Sequence, residues 1–443
     1  MNGKNPRQIA LRVLLARRDH GDYTETLLDQ ALAPVVGQAS RLPSADRALC
    51  QELVYGIVRR QATLDWLIAR KAQGRQQKPG VQNLLRLGLY QIFWLDRIPP
   101  HAAVHETVEL AKREGFGPKA GFINAVLRGY LREFDATKQL LAGLKTSHPA
   151  IGYSHPQWLV EKWHKRFGDD LARQLLEWNN TPPKTFARVN TLKTDAGRLI
   201  EKWREEDVEY DFVRRGFLSG PALEAVIFEL KSHPPLASLE SFRNGWFYIQ
   251  DPGTLLAPLE LAPQPGEAIL DLCAAPGGKT TFLAQLMNNL GKITAGDVSR
   301  ERLKLLEENC LRLGVTCVST VSSNYQPSTI NQLKFDRILI DAPCSNTGVL
   351  RRRVDLRWRV APDEISRLQQ TQLDLLKTSA PQLKPGGVLV YSTCSLELEE
   401  NTVVVREFLQ ACSDFKLEHE RELLPFADNV DGAYVARLKK SQR

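Results

Sequence analysis

Two cysteines follow apolar, strand-like segments, and a glycine-rich turn precedes both of them in the chain. Cys344 stands in Asp-Ala-Pro-Cys-Ser at 341–345, and Cys394 stands in Tyr-Ser-Thr-Cys-Ser at 391–395. Because the carboxyl ends of parallel strands open onto one crevice of an α/β sheet, we expect the two thiols to lie together there. A reaction that must form and then break a covalent bond to a weakly electrophilic ring has a use for two thiols. Methylation of cytosine at carbon 5 is such a reaction.

That chemistry assigns roles to thiols and to nearby charges. A thiolate that adds to carbon 6 makes carbon 5 enamine-like, so that carbon 5 can attack a sulfonium methyl group, and loss of the carbon-5 proton then expels the thiolate. The attacking thiol needs a depressed pKa, which the cations of Lys279 or of Arg351–Arg353 can supply. Asp341 is expected to stabilise charge that develops on the ring. These residues alone do not decide which thiol attacks.

The glycine-rich turn has the composition of a cofactor loop. A buried strand is predicted at Glu267–Leu272 and a helix from Thr280, with Cys-Ala-Ala-Pro-Gly-Gly-Lys at 273–279 between them. Small residues and glycines let the backbone approach a ligand at a helix N-terminus. Asp297 ends the next predicted strand, where a carboxylate can accept both hydroxyls of a ribose. The loop lacks both Gly-x-Gly-x-x-Gly and the Walker A spacing, which favours S-adenosylmethionine (SAM) over a dinucleotide or a nucleoside triphosphate.

The elements that must position these residues fall into three predicted domains. Residues 1–140 repeat apolar side chains at helical spacing and predict an all-α bundle with a helix start at Pro6 and a second long helix capped by Ser44. Residues 145–245 mix helix and strand and predict a small α+β domain. In residues 246–443, apolar strands alternate with turns and amphipathic helices, which predicts a Rossmann-like α/β domain with a parallel sheet.

Composition sets the class and the compartment. The 443 residues carry a formal charge of +8, which favours a polyanionic partner without deciding it. Seven cysteines without a Cys-x-x-Cys pair argue against disulfides and for a reducing compartment. With no secretory signal and no apolar run long enough for a membrane helix, we expect a cytoplasmic protein. His101 and His105 lack a metalloprotease spacing, so we expect them to pack at a helix start and predict no metal site.

The first 140 residues carry a resemblance in two separated motifs. Pro-His-Ala-Ala-Val-His-Glu-Thr-Val-Glu-Leu-Ala-Lys at 100–112 and Ala-Gly-Phe-Ile-Asn-Ala-Val-Leu-Arg at 120–128 resemble the paired signatures of NusB-type helical domains. The resemblance implies an RNA-binding domain ahead of the catalytic one.

The remainder resembles the RNA cytosine-C5 methyltransferases of the RsmB/NOP group. The resemblance rests on the loop at 273–279, on Asp-Ala-Pro-Cys-Ser-Asn-Thr-Gly at 341–348 and on Tyr-Ser-Thr-Cys-Ser-Leu-Glu-Leu-Glu-Glu-Asn at 391–401. Together with the NusB-like region it implies SAM-dependent methylation of a cytosine in the 16S rRNA of the small ribosomal subunit, through a covalent cysteine–C6 adduct. It also implies that Cys394 is the nucleophile and that Cys344 assists release of the product.

The expected site residues follow from the motifs and the resemblance together. The expected catalytic residues are Cys394, Cys344, Asp341 and Lys279. The expected cofactor-binding residues are Cys273, Ala274, Ala275, Pro276, Gly277, Gly278, Lys279, Asp297, Ser323 and Asp341. Ser323 stands where the family commonly has an aspartate, and its hydroxyl is expected to bind the adenine edge. A basic and aromatic cluster is expected to contact RNA: Arg351, Arg352, Arg353, Arg357, Trp358 and Arg359.

Other functions remain open at this point. The chain could be a NusB-like RNA-binding assembly factor with a vestigial methyltransferase domain, or a C5-methyltransferase that acts on another RNA. Amino methylation uses an Asn/Asp-Pro-Pro-aromatic motif, which Ala342-Pro343-Cys344 does not match. The expected partner is ribosomal RNA, free or partly assembled, and the protein is expected to be a monomer.

Overall fold

Apolar side chains at helical spacing form helices through most of the first 181 residues. The computed structural model describes residues 5–19, 22–33, 42–213, 227–322 and 333–442, and Ser323 therefore lies outside the described residues. The helices of this region are α1 Pro6–Asp19, α2 Thr24–Leu32, α3 Ser44–Arg59, α4 Gln61–Lys71, α5 Pro79–Trp94, α6 Pro100–Arg113, α7 Ala120–Arg132, α8 Phe134–Ser147, α9 Pro149–Gly152 and α10 Gln157–Trp178.

Two helix starts and one pair of histidines test the sequence predictions locally. The start of α1 at Pro6 is confirmed, since Asn5 Oδ1 accepts the backbone N–H of Arg7 at 2.9 Å. The prediction for Ser44 is wrong, because Ser44 is already helical and makes no cap hydrogen bond to α3. The packing predicted for His101 and His105 is also wrong, because both side chains are exposed on α6.

The helical unit has its own core, to which a distant segment of the chain contributes. Helix α5 is buried nearly all round, with Leu84, Leu85 and Leu87 completely inaccessible. One compact unit consists of Met1–Thr181 together with Arg351–Arg359, so far as these residues are described. Val354 of that later segment is a member of the same apolar core.

Polar side chains hold the 351–359 segment within the helical unit. Asp355 is buried and accepts hydrogen bonds from Arg17 Nε at 2.6 Å and from Thr24 Oγ1 at 2.7 Å. Arg351 is also buried, with its guanidinium 3.9 Å from the ring centre of Trp178. Because a buried guanidinium is not available to a phosphate, the RNA contact predicted for Arg351 is wrong.

Arg357 ties several helix ends together and is likewise unavailable to RNA. Its side chain is fully buried and donates hydrogen bonds to the carbonyl oxygens of Arg59, Ser154 and Asn179. Burial lowers its pKa well below the usual value, and the nearby cations of Arg59 and Arg60 lower it further. The RNA contact predicted for Arg357 is therefore wrong. A run of charges in a sequence does not report which members are buried.

The next elements form a small antiparallel sheet packed on a helix. They are β1 Thr185–Val189, α11 Ala196–Glu205, β2 Glu209–Phe212, β3 Ile227–Ser232, α12 Glu240–Arg243 and β4 Phe247–Ile249. Among the described residues the strand order is β2-β3-β1-β4. Trp203 of α11 is completely buried, with the rings of Phe228 and Phe247 each 5.3 Å from its own, so one indole anchors the helix to the sheet.

A larger sheet occupies the rest of the second unit, which comprises the described residues of Pro182–Leu350 and Val360–Arg443. The further elements are α13 Leu256–Leu261, β5 Ala268–Leu272, α14 Gly278–Leu286, β6 Lys292–Asp297, α15 Arg300–Leu313, β7 Val318–Ser322, β8 Phe335–Asp341, α16 Leu356–Arg359 (within the helical unit), α17 Pro362–Ser379, β9 Leu383–Thr393, α18 Thr402–Ala411, β10 Phe415–Leu423, α19 Pro425–Asp428 and β11 Ala433–Lys440.

The strand order places the predicted motifs at neighbouring strand ends. In the described part of the chain the order is β10-β11-β9-β8-β5-β6-β7, with parallel pairing from β7 to β9 and antiparallel pairing to β11. The predicted Rossmann-like sheet is thus confirmed. Strand β5 lies between β6 and β8, and Asp341 of β8 pairs in register with Ser392 of β9. No helix within the described ranges has both the length and the apolar character to cross a membrane.

The helical unit yields a stability prediction. Arg357→Ala should lower the free energy of unfolding by about 2–4 kcal/mol, because several buried carbonyl oxygens would lose their donor. Urea unfolding of the full chain, followed by circular dichroism, measures the change. Arg353→Ala is the matched control, since this arginine of the same segment is exposed and should change stability by less than about 0.5 kcal/mol. Equal effects of the two substitutions would contradict the structural role of Arg357.

Candidate active site

The turn after β5 is built to bring backbone close to a ligand. Gly277 precedes α14 with a φ of 102°, and a Cβ at this residue would lie 2.9 Å from Leu306 Cγ. Only glycine meets both the positive φ and this close approach without strain. The first turn of α14, from Gly278 onward, therefore presents its backbone N–H groups at the end of the central strand.

Asp297 ends β6 beside that turn, as predicted. Its side chain is 1% exposed, and its Oδ2 accepts the backbone N–H of Ala275 at 3.2 Å. Its Oδ1 accepts the backbone N–H of Ser299 at 3.0 Å, and Arg302 Nη1 lies 3.4 Å from Oδ2. Arg302 also donates a hydrogen bond to the carbonyl oxygen of Ala275. The carboxylate is thus fixed against the glycine turn, and Arg302 is a contact that the sequence analysis did not identify.

Asp271, inside β5, is a second carboxyl group that the sequence analysis did not assign to the site. It is completely buried, its Oδ2 accepts a hydrogen bond from Thr280 Oγ1 at 2.7 Å, and its Oδ1 has no partner among the described residues. Burial raises the pKa of Asp271 to about 7, although the Thr280 hydrogen bond opposes the shift. A buried carboxyl oxygen without a partner at a strand end suits a ligand that donates hydrogen bonds.

The thiols of Cys344 and Cys394 lie side by side, as predicted. Cys344 Sγ lies 3.3 Å from Cys394 Sγ, and Cys394 Sγ donates to Asn346 Oδ1 at 2.9 Å. Asn346 also donates to the carbonyl oxygen of Cys344 at 2.5 Å, and it adopts a left-handed backbone with a φ of 58°. Asparagine tolerates this conformation better than most residues. Asn346 was not predicted as a site residue, although it stands within the 341–348 motif.

Lys279 and Asp341 form an ion pair beside the thiols. Lys279 Nζ lies 2.7 Å from Asp341 Oδ2, and Ser392 Oγ donates to Asp341 Oδ1 at 3.1 Å. Burial alone would lower the pKa of Lys279, but the charge and hydrogen bond of Asp341 outweigh it and raise that pKa. Cys394 contributes to the same upward shift of the Lys279 pKa, which indicates that the ammonium group lies within electrostatic range of this sulfur.

The environments of the two thiols differ. Cys344 is buried, whereas Cys394 is partly exposed. The hydrogen bond to Cys394, burial, and the negative charges of Cys394 and Glu400 raise the pKa of Cys344 well above its usual value. Cys344 is therefore a thiol at neutral pH, and it can donate a hydrogen bond to its neighbour.

Among the expected residues, the structure brings together the 273–279 loop, Asp297 and Asp341 around β5, and Cys344 and Cys394 at the ends of β8 and β9. It does not describe Ser323, and it assigns Arg351–Arg353 to the helical unit. Within the described ranges, no group of three or more His, Cys, Asp or Glu side chains is arranged to hold a metal ion.

The fold and the site define a Rossmann-like methyltransferase that carries a NusB-type helical region. The model of the 16S rRNA methyltransferase RsmB/F family matches residues 258–439, and the NusB family model matches residues 4–132. The ferredoxin-like domain model of RsmF/B-like methyltransferases matches residues 155–216.

Individual relatives cover nearly the whole chain. The chain is 36% identical over 464 residues to the probable ribosomal RNA small subunit methyltransferase B of Bacillus subtilis, covering 99% of this chain and 100% of that protein. It is 37% identical over 412 residues to ribosomal RNA small subunit methyltransferase B of Escherichia coli strain SMS-3-5, and the alignment covers 90% of this chain and 92% of that protein. The crystal structure of PH0851 superposes with a TM-score of 0.78 at 26% sequence identity, and the superposition covers 98% of this chain and 99% of PH0851. The chain belongs to the RsmB/F methyltransferase family.

The buried Asp271 gives a pH prediction. Since its pKa is about 7 in the folded chain and about 4 when unfolded, the native state is not penalised below pH 4, and the penalty grows as the pH rises towards 7. Asp271→Asn should therefore increase the free energy of unfolding above pH 7, by a few kcal/mol at most, and have little effect at pH 4. Urea unfolding without cofactor at pH 4 and pH 8 measures the difference.

The matched control is Asp336→Asn. Burial alone would raise the pKa of Asp336, but the hydrogen bonds from Lys384 and the Ala268 N–H, together with the charges of Lys384 and Arg337, outweigh burial and lower that pKa. This substitution should therefore be destabilising at pH 8. A pH-independent effect of Asp271→Asn would contradict the raised pKa of Asp271.

Proposed function

We propose that this protein transfers a methyl group from SAM to carbon 5 of a cytosine in small-subunit ribosomal RNA, through a covalent cysteine–C6 adduct. The observation that carries the proposal is the pair of thiols 3.3 Å apart at the ends of two parallel strands. The names of the relatives from B. subtilis and E. coli support small-subunit ribosomal RNA as the substrate.

Thiol chemistry favours carbon 5 over an amino group. Carbon 5 requires activation by a nucleophile at carbon 6, whereas an exocyclic amino group attacks a methyl donor directly and has no use for a thiol. Family membership and retention of both thiols, the glycine turn and Asp297 also argue against a vestigial methyltransferase domain.

Electrostatics favour Cys394 as the nucleophile. Cys394 is partly exposed and lies within electrostatic range of the Lys279 cation, whereas Cys344 is buried and faces the charge of Glu400. The buried Cys344, whose pKa is raised well above its usual value, is the poorer candidate for an attacking thiolate. The Cys344 S–H group, 3.3 Å away, can donate a hydrogen bond to the Cys394 thiolate and stabilise it before attack. This asymmetry agrees with the order that the family resemblance implies.

In the proposed reaction the Cys394 thiolate adds to carbon 6 of the cytosine, and a negative charge develops on the ring. Asp341 and Lys279, paired at 2.7 Å, lie beside the sulfur and can contact the polar edge of the base. Methyl transfer to carbon 5 would leave S-adenosylhomocysteine; transfer of the carbon-5 proton to solvent water would then restore the C5–C6 double bond and expel the Cys394 thiolate. Cys344 assists this release.

SAM fits the groups around the glycine turn. Asp297 can accept the ribose hydroxyls, and the partnerless Oδ1 of Asp271 matches a ligand that donates hydrogen bonds. The residues proposed to line the site are Cys273, Ala274, Ala275, Pro276, Gly277, Gly278, Lys279, Asp297 and Asp341. When bound, SAM supplies an electrophilic methyl group. The helical unit, which matches the NusB family, is proposed to bind the RNA.

The cofactor assignment predicts a loss of binding in Asp297→Ala. SAM affinity should fall more than tenfold, because losing charge-assisted hydrogen bonds costs about 1.5–3 kcal/mol. Titration calorimetry on the folded variant measures it. Asp336→Ala is the control, since this carboxylate pairs with Lys384 at 2.7 Å at the opposite end of β8 and should leave SAM affinity unchanged. Unchanged affinity in Asp297→Ala would refute the assignment.

The two thiols should be separable by their products. Cys394→Ala should abolish turnover and form no covalent complex with RNA, whereas Cys344→Ala should accumulate a protein–RNA adduct that survives denaturing electrophoresis. Cys412→Ala removes a free cysteine outside the site and should behave as wild type. An adduct that appears only in Cys394→Ala would reverse the two roles.

The reaction itself is tested in cells that lack the protein. Bisulfite sequencing of ribosomal RNA should detect one cytosine that loses protection and regains it with the wild-type gene, but not with the gene for Cys394→Ala. If no cytosine in ribosomal RNA changes, the proposed reaction or substrate is wrong.

A further inference from the structure

Cys344 and Cys394 are each followed directly by a serine, and one buried carboxylate binds both serines. Glu400 Oε1 accepts the backbone N–H of Ser345 at 2.8 Å, and Glu400 Oε2 accepts Ser395 Oγ at 2.5 Å. Ser345 Oγ also donates to Oε2 and lies 3.1 Å from Ser395 Oγ. Glu400 is completely buried.

A further donor completes the set around the carboxylate. Gln372 Nε2 donates to Glu400 Oε1 at 3.2 Å and to the carbonyl oxygen of Pro343 at 2.9 Å. An ionised carboxylate has about four acceptor positions, and the donors of Ser345, Ser395 and Gln372 fill them. Burial raises the pKa of Glu400, although these hydrogen bonds oppose the shift.

We propose that Glu400 is a positioning residue. By binding Ser345 and Ser395 at once, it fixes the Cys344 and Cys394 sulfurs at the separation that lets one thiol act on the other. Backbone contacts join the two cysteine-bearing segments at the pairing of Asp341 with Ser392 and at the Gly348 N–H, which donates to the carbonyl oxygen of Cys394 at 3.0 Å. Glu400 adds side-chain and backbone hydrogen bonds at the residues directly after the cysteines, between or beside these two ties. Glu400 is the group that touches both loops directly after their cysteines.

The same carboxylate also distinguishes the two thiols. Its negative charge acts on Cys344 and favours the S–H form, which is the form that can donate to the Cys394 thiolate. Glu400 therefore links the geometry of the thiol pair to the division of roles within it.

The charge is tested in Glu400→Gln by the pH profile of iodoacetamide alkylation, with the Cys344 and Cys394 peptides quantified separately by mass spectrometry. Removing the charge should move the midpoint for Cys344 to lower pH by about one unit, a tenfold change in its thiolate fraction. A folded variant with an unchanged Cys344 midpoint would overturn the assignment. If Glu400 were only structural, Glu400→Gln would lower the midpoint of thermal unfolding and leave the pH midpoint of Cys344 alkylation unchanged.

Glu397→Gln is the matched control. Glu397 is 1% exposed and lies three residues earlier in the same turn, and its charge is not among the leading causes of the Cys344 pKa shift. Its substitution should leave the Cys344 midpoint at the wild-type value. An equal shift of the Cys344 alkylation midpoint in both variants would mean that any change in this turn perturbs Cys344, and it would contradict a specific role for Glu400.

Positioning is tested by the double substitution Ser345→Ala with Ser395→Ala, which keeps the charge and removes the side-chain ties. The kcat for RNA methylation should fall about tenfold or more with KM within about twofold, because neither serine is assigned to RNA or cofactor binding. The Cys344 midpoint should stay near the wild-type value. An unchanged kcat would overturn positioning, and this variant also decides the matter if Glu400→Gln does not fold.

The role in turnover rests on the proposed function, but the alkylation profile needs neither RNA nor SAM. If the Cys344 midpoint shifts while wild-type protein methylates no cytosine, the proposed function fails and the coupling of Glu400 to the thiols stands. If wild type methylates cytosine and Glu400→Gln retains both the kcat and the Cys344 midpoint, the Glu400 assignment fails alone.

Discussion

The parallel pairing of β8 with β9 is the constraint on which the candidate site depends. Because the two strands run side by side in the same direction, Asp341 and Ser392 lie at the same edge of the sheet. Cys344 follows three residues after Asp341, and Cys394 follows two residues after Ser392. Because β5 pairs with β8 on the other side, the glycine turn opens at that edge too. The sheet thereby assembles in one crevice groups that are distant in sequence.

Charge around this crevice is unevenly distributed. Asp271, Asp297 and Asp341 contribute carboxyl groups near the glycine turn, and Lys279 and Arg302 are the cations paired with two of them. Carboxyl groups near the turn suit a ligand that carries cationic and hydroxyl donors. By contrast, RNA requires positive potential. Under the proposed function, a small cationic cosubstrate would bind beside these carboxyl groups, and the RNA phosphates would need a different, positively charged surface.

The sequence predicted the parts of the site that strand ends determine. Cys344, Cys394 and Asp297 follow apolar strands, and parallel pairing alone brings such ends together. Asn346 and Glu400 were missed because their roles arise from contacts between loops, which no periodicity reports. The roles of the predicted site residues remain proposals, as do the three sequence-based domain boundaries, and Ser323 lies outside the described residues.

The basic run at 351–359 illustrates a different limit of sequence interpretation. Its charges predicted an RNA surface, yet Arg357 bonds to helix carbonyls and Asp355 bonds to Arg17 and Thr24. Desolvating a guanidinium is unfavourable unless hydrogen bonds replace its water, and here backbone carbonyl oxygens do so. Because these nine residues complete the packing of the helical unit, removing helices α1–α10 would leave buried charges without partners. The helical unit is therefore not an appendage that can be deleted without consequence, and point substitutions on its exposed surface are the sounder way to test its part in RNA binding.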